Sequence, residues 1–497
     1  EAVNSWKPDG MKEDKLTERI AKKWGANETQ RFEGFMLSAM KSLQVPGAAV
    51  AIVQGGEVVY SKGFGVRGLG SSEPVTPKTL FMIGSMTKPL TTLLMARLVE
   101  QKKMAWSTPV SQLLKGFQLG DPEVTKKLEM RHTACACTGM PRRDMEFIFK
   151  YKGISPEQRL QQMSDMKPTT GFGETFQYSN SLVMIGGYAA ARAFDQTGSL
   201  EQAYEKSMQT LVLDPLNMKD TTFSFEVALQ KEAARPHGMD FDGNVQEIPL
   251  NLERSIYSVA PAGAAWSNVI DLAKYVSLES KRGIGSDGTR VIGEDALLYR
   301  RQKGVKIDDK SYYGLGLFLI DEQGLNIIGH GGNTLGFSSG MRFLPDKDVG
   351  VVILTNMAGA NSFLSAVRQE IQEIEFGAAP RADRLVEFAI QQRKDQINKA
   401  HELINVAPEQ TAWMQNLIGD YQCSELGKAK IYKAGGHFKI AFEEWGSELG
   451  TKTESNGDRL LSGVSAPWAG TLELLVGKDG KELVFDADQI KYVFRKK

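Results

Sequence analysis

The chain has 497 residues, 41% hydrophobic and 24% charged, the composition of a globular protein too long for one small core, so two or more domains are expected. Lysine plus arginine and aspartate plus glutamate each total 60, and a formally neutral chain gives no ground for a nucleic-acid partner or an anionic membrane surface. No apolar run approaches the roughly 18 residues that a spanning helix needs, so no membrane span is expected.

The first residue is Glu1 rather than methionine. A cleaved secretory leader would account for it, so a periplasmic or secreted location is expected ahead of a cytoplasmic one. Residues 12–44 read as helix after Pro8-Asp9-Gly10. Gly47 to Gln54 and Val58 to Ser61 are apolar runs around Gly55-Gly56, which makes a β-hairpin. Thr79 to Gly84 is a short, mostly apolar run, and Leu90, Leu93, Leu94, Leu98 and Val99 follow at the spacing of a buried helix. From about 85 to 305 the chain is mostly helix and loop. Cys135 and Cys137 stand too close in sequence for a relaxed disulfide, and one C-x-C without a second pair falls short of a zinc site. They read as small loop or core residues.

Strands return at Tyr313 to Ile320, Leu325 to Ile328, Ser339 to Leu344 and Val349 to Leu354, followed by a helix from Ser362 to Ile374. Hairpin, helical insert, strands and helix together predict an α+β domain, one antiparallel sheet built from both ends of the segment. Composition shifts after Pro380; residues 383–405 read as a charged helical connector. From about 408 come short apolar runs between glycine, asparagine and aspartate, the pattern of a small β-barrel or sandwich. Its one histidine, His437, reads as a strand residue.

Ser85-Met86-Thr87-Lys88 opens the buried helix. A serine and a lysine three apart share a helix face, and a helix start offers free N–H groups to developing negative charge. A neutral lysine there could take the hydroxyl proton. The same spacing recurs at Ser38 to Lys41, on helix surface, and at Ser164 to Lys167, a helix end before Pro168. Gly336-Phe-Ser338-Ser-Gly340 fits the nucleophile-elbow pattern, but strand residues follow it where a helix is required. Tyr178-Ser179-Asn180 precedes an apolar helix, and His330-Gly331-Gly332 follows a strand. Taken singly, Tyr178 would be a core tyrosine and His330 a loop histidine.

In the order S-x-x-K, Y-x-N, H-x-G, these stretches resemble the serine β-lactamase and penicillin-binding-protein superfamily, most of all its class C-like branch of D-stereospecific peptidases and family VIII carboxylesterases. The resemblance runs from about 35 to 378, through Phe81 to Lys88, Thr138 to Pro141, Tyr178 to Asn180 and Gly329 to Asn356. The connector and β tail resemble an archaeal member with a lipocalin-like domain.

The resemblance implies a β-lactamase-like antiparallel sheet with helices on both faces and a large helical insert, plus a small antiparallel β-barrel. Its divisions are an N-terminal extension and helix (1–34), a catalytic domain (35–380), a connector helix (381–406) and the lipocalin-like β domain (407–497). Ser85 is then acylated, with Lys88 and Tyr178 sharing the proton work. The backbone N–H groups of Ser85 and Asn333 form the oxyanion hole, and Asn180, His330, Gly331 and Gly332 bind substrate. No cofactor and no metal are expected. Neutrality of Lys88 near pH 7 needs a shift of about 3 units from 10.4, roughly 4 kcal/mol, and burial could supply part of it; a cationic Lys88 could instead support a Tyr178 phenolate. Penicillin-recognising members commonly carry lysine where this chain has His330, so a fixed cation for a substrate carboxylate is missing. Cys137-Thr-Gly-Met-Pro stands where many relatives have a histidine-threonine-serine run. The expected activity is hydrolysis of small-peptide amide bonds. A carboxylesterase, and a penicillin-binding or sensor protein that acylates without turnover, are the alternatives. A homo-oligomer through the C-terminal domain is also considered.

Overall fold

Ala48, Val50 and Ile52 alternate along one strand with Ala49, Ala51 and Val53, and all six are buried. A strand covered on both faces loses the polar alternation of a half-exposed one, and this strand lies one in from the edge of the principal sheet, covered by helices on either side. The computed structural model describes residues 15–407 and 412–497. In it, eight strands form one antiparallel sheet: β1 (Gly47–Gln54), β2 (Glu57–Gly65), β3 (Val305–Asp308), β4 (Ser311–Tyr313), β5 (Phe318–Glu322), β6 (Leu325–Asn333), β7 (Ser338–Leu344) and β8 (Val349–Thr355), in the spatial order β2-β1-β8-β7-β6-β5-β4-β3. The principal helices are α1 (Ala26–Leu43), α2 (Thr87–Glu100), α3 (Asn180–Phe194), α4 (Val269–Ser280), α5 (Asn361–Phe376) and α6 (Ala382–Leu403).

The even-numbered residues of β1, with Val351 and Ile353, pack against α1, α5 and the start of α6. The odd-numbered ones, with Val352 and Leu354, face α4 and the helical insert that holds α2 and α3. The sheet is therefore the middle layer of an α+β domain. The tail forms a closed barrel of eight antiparallel strands, and its first and last pair through Tyr421–Lys496 and Gln422–Arg495. Among the described residues no helix is long and apolar enough to cross a membrane.

Three details depart from the sequence reading. The first helix begins at Ala26, not at 12, and residues 12–14 lie outside the described residues. The chain before it is held instead by the Leu16 N–H on the Gln323 carbonyl and the Lys22 N–H on that of Glu375, while Leu16 is buried against Leu325 and Ile327. The run from Tyr313 to Ile320 is two strands, because Gly314 to Leu317 turns back with Gly316 at φ +71°. Cys135 and Cys137 form a disulfide, correcting their reading as separate small residues. Ala136 between them adopts φ +52°, and the two Cα atoms lie 5.2 Å apart, within the range a disulfide spans.

The barrel shares its core with the larger domain. Phe149, 1% exposed, enters the barrel's apolar cluster with its ring centroid 4.7 Å from that of Phe442 and 4.8 Å from that of Trp445. Beside it the Tyr492 hydroxyl donates to Glu146 (3.4 Å), and Glu444 pairs with Lys152 (3.0 Å).

Candidate active site

Ser85 sits in a tight turn, Gly84–Met86, that feeds directly into α2. Phe81 and Met82 pair with Ser267 and Trp266, and the Ile83 N–H donates to the Ala265 carbonyl, so this approach is clamped to the start of α4. On the other side it meets β6. A Cβ on Gly332 would lie 2.0 Å from the Ile83 carbonyl oxygen and 2.9 Å from the Ser85 nitrogen. A Cβ on Gly84, at φ +51°, would lie 2.8 Å from the Asn333 backbone nitrogen and oxygen. Glycine is required at both places for the strand and the Ser85 turn to touch. Ser339 on β7 donates to the Ile83 carbonyl (2.8 Å) and ties the turn to a third element.

Lys88, one turn on, is fully buried. Its Nζ lies 2.8 Å from Ser85 Oγ, 2.6 Å from Asn180 Oδ1 and 2.7 Å from the Ala262 carbonyl oxygen. Burial lowers its pKa well below the ordinary lysine value, against Asp144, which raises it, and together with Arg142, which lowers it. A neutral amine has two N–H bonds and one lone pair. In that form, with Asn180 and Ala262 accepting the two hydrogens, the lone pair is left for the Ser85 hydroxyl. Asn180 reaches this point because α3 packs closely: a Cβ on Gly186 would strike Thr133, and one on Gly187 would strike Pro261.

The Tyr178 ring stands over the lysine, its centroid 4.8 Å from Nζ. His330, 5% exposed, has its two ring nitrogens on Gly331 and Tyr313 and not on Ser85. Its Nδ1 donates to the Gly331 carbonyl (2.5 Å), so Nε2 accepts from the Tyr313 hydroxyl (3.0 Å), and burial lowers its pKa to about 3. The structure therefore holds a neutral histidine among Tyr178, Tyr313 and Phe318. β5 pairs with β6 only as far as Gly329, whereas β7 pairs with it through Asn333. The edge from His330 to Asn333 is thus open toward the cleft. Alternation from the Thr334 N–H to Phe337 carbonyl bond puts the Asn333 N–H on that edge.

Ser85, Lys88, Tyr178, Asn180, His330, Gly331, Gly332 and Asn333 therefore converge from three separate stretches of chain. Ser338 does not join them: it is buried in β7, donating to Asn333 Oδ1 (2.9 Å) and accepting from the Ala360 N–H (3.0 Å). Sequence reasoning missed the Ala262 carbonyl, which has no side-chain signature. It also missed Asp144, Arg142 and Tyr313, which no periodicity or motif marks. Among the described residues no group of three or more His, Cys, Asp or Glu side chains is arranged to hold a metal ion.

Residues 32–375 match the family described as Beta-lactamase. An unguisins hydrolase of Aspergillus campestris is 27% identical over 348 residues, 67% of this chain and 62% of that protein. Penicillin-binding protein 4 of Amycolatopsis lactamdurans is 25% identical over 341 residues, 66% of this chain and 85% of its own length. A teichoic acid D-alanine hydrolase of Staphylococcus aureus is 26% identical over 230 residues, 46% of this chain and 53% of that one. The chain thus spans less than two thirds of the unguisins hydrolase. Among solved structures, the octameric penicillin-binding protein homologue from Pyrococcus abyssi superposes with a TM-score of 0.60 at 19% identity, covering 94% of this chain and 99% of that one, which fixes the likeness of fold. The family match extends over more than half of the chain and includes every residue converging on Ser85, and on that ground the chain belongs to the beta-lactamase family, within the superfamily of β-lactamases and penicillin-binding proteins.

Proposed function

We propose that the protein is a serine hydrolase that cleaves amide bonds of small peptides through an acyl-enzyme on Ser85. The observation that carries this is the fully buried Lys88 Nζ, 2.8 Å from Ser85 Oγ, with the Asn180 and Ala262 oxygens placed to take the two hydrogens of the neutral amine and leave its lone pair for the Ser85 hydroxyl. In the first step the Ser85 O–H bond breaks, its proton passes to Lys88 Nζ, and the oxygen adds to the substrate carbonyl. The N–H groups of Ser85 and Asn333 receive the oxyanion. Tyr178 passes a proton to the leaving group and then helps activate the water that releases the acyl group. Asn180 and the edge His330-Gly331-Gly332 align the substrate backbone.

A neutral, buried His330 supplies no charge for a free carboxylate. Uncharged amides and esters are therefore the better substrates, and an ester substrate is the second reading. Relatives named as hydrolases of unguisins and of teichoic acid D-alanine support turnover over a permanently acylated sensor. The Cys135–Cys137 disulfide supports an oxidising, exported location. Association of copies through the barrel is part of the same proposal and is read by light scattering. The deciding experiment is a panel of p-nitroanilides and p-nitrophenyl esters of both amino-acid hands, with Ser85→Ala alongside. Multiple turnovers lost in Ser85→Ala are expected. A single stoichiometric burst would favour the sensor, and an unaffected Ser85→Ala would remove the reading altogether.

A further inference from the structure

The two ends of a side-chain amide are nearly the same size and opposite in hydrogen-bonding sense. Asn180 turns Oδ1 toward Lys88 (2.6 Å) and Nδ2 toward Asp144, 3.0 and 2.9 Å from the two carboxylate oxygens. A carboxylate offers acceptors only, so it admits the NH2 end of the amide and rejects the oxygen. Reversed, Asn180 would set its oxygen against the carboxylate and its N–H groups against the lysine. Asp144 is 7% exposed and Asn180 9%, which leaves water little access to relieve such a mismatch.

We propose that Asp144 is a positioning residue for acylation: it locks the Asn180 amide with Oδ1 toward Lys88, and so reserves the lysine lone pair for the Ser85 hydroxyl. This rests on the assignment of Ser85 and Lys88 above. Asp144 does not touch Ser85; it acts through Asn180. Its other partner is Arg142, whose Nε pairs with the same carboxylate and whose guanidinium stands 5.7 Å from the Tyr178 ring centroid. The charged and titratable groups facing Lys88 are therefore Asp144, Arg142, Tyr178 and the neutral His330. Asp144 is the anion among these four and favours the protonated lysine against burial, so its charge also moves the acid limb of acylation to higher pH.

The test is the pre-steady-state burst with p-nitrophenyl acetate across pH, in Asp144→Asn, Asp144→Ser and Asp144→Glu of the full chain, with melting curves recorded in parallel. In Asp144→Asn the plateau acylation rate is expected to fall at least about tenfold, as misorientation of a catalytic group does. The acid limb should move to lower pH by about one unit, because a neighbouring anion is gone; Asp144→Glu should restore the limb. Asp144→Ser serves the same purpose if Asp144→Asn does not fold. Asn180→Ser cannot flip, so adding Asp144→Asn in that background should cost no further plateau rate. A wild-type rate and limb in Asp144→Asn overturns the proposal. So does a rate loss with an unmoved limb, which would make Asp144 a packing residue, and so do additive losses in the double variant. Ser85→Ala separates the two readings. If it abolishes the burst while Asp144→Asn does not alter it, only the role of Asp144 falls; if Ser85→Ala still acylates, the nucleophile assignment falls first.

Discussion

Lys88 decides most at the scale of single residues, because three oxygens within 2.8 Å and complete burial act on one amine. Burial opposes the charged form more strongly than Asp144 favours it, so the pKa moves down and the base form exists well below pH 10.5. Activity should therefore rise with pH through that depressed value. His330, at about 3, is already neutral and adds no second limb near neutrality. Lys88→Arg keeps the charge and removes the base, since arginine stays protonated. Acylation should fall by about 10²–10⁴, the contribution usual for a positioned base, measured by stopped flow. Tyr178→Phe should slow release of the acyl group more than its formation; normal acylation in Lys88→Arg would reverse these two assignments. Ser338→Ala should keep its activity and lose about 1 kcal/mol of stability with its hydrogen bonds, and a dead Ser338→Ala would reopen the choice of nucleophile.

Among the elements, β6 does most to build the site, and the turn after it is watched by a buried acid. Gly332→Ala would put a methyl group 2.0 Å from the Ile83 carbonyl oxygen, so strand and nucleophile turn must separate. Overpacking of this kind costs about 1–3 kcal/mol, and acylation should drop more steeply than the melting temperature. Glu253 lies in the helical turn Leu250–Val259, facing Thr334 and the amides of Leu335 and Gly336, and its Oε1 has no hydrogen-bond partner. Burial raises its pKa from 4.5 to about 7. The folded protein then holds a proton that the unfolded chain releases above pH 4.5, so stability falls as pH rises from there to about 7, by on the order of 3 kcal/mol. Glu253→Gln should remove that slope, gaining at pH 8 and nothing at pH 4 in denaturant titrations; parallel curves for the two proteins would sink it. The strands around this site were largely legible, because apolar runs between turn residues mark them at Leu325 and Val349. Ser85 and Lys88 were legible because their chemistry lies within one helical turn. Asp144 was not, since its partner Asn180 is reached only through tertiary packing, and neither was the break at Gly314 to Leu317. The helix start was misread because Leu16 and Trp24 are apolar for the sake of the sheet and the neighbouring hairpin, not of a helix face. The Cys135–Cys137 bond was missed because it depends on a positive φ at Ala136, an alanine that carries no turn signal.

For the whole molecule the question is how far the barrel can be separated from the catalysis. Reading the sequence from about 408 onward as a detached module treats the barrel as a passenger, yet its core contains Phe149 from the catalytic side. The segment from Arg142 to Lys152 is held by the barrel at four places: Gln489 accepts from the Arg142 N–H (2.8 Å), Tyr492 bonds Glu146, Phe149 fills the mouth, and Glu444 pairs with Lys152. Asp144 lies inside that segment and faces Asn180. Gln489 also accepts from Gln177, the residue before Tyr178 (3.1 Å). The barrel thus braces the second layer of the site without supplying a reacting group. Phe149→Ala in the full chain should cost about 3–5 kcal/mol, the usual loss for a buried phenylalanine. Acylation by p-nitrophenyl acetate should slow by about tenfold as Asp144 loses its rigid support. A chain ending near 403 should still be labelled at Ser85, since the turn, α2 and β6 are held by the sheet, but at the same reduced rate. Full-rate labelling of both proteins would show that the barrel bears on assembly or substrate choice and not on the geometry of Asn180. An unfolded truncated chain would show that the catalytic core cannot close without the barrel over Phe149.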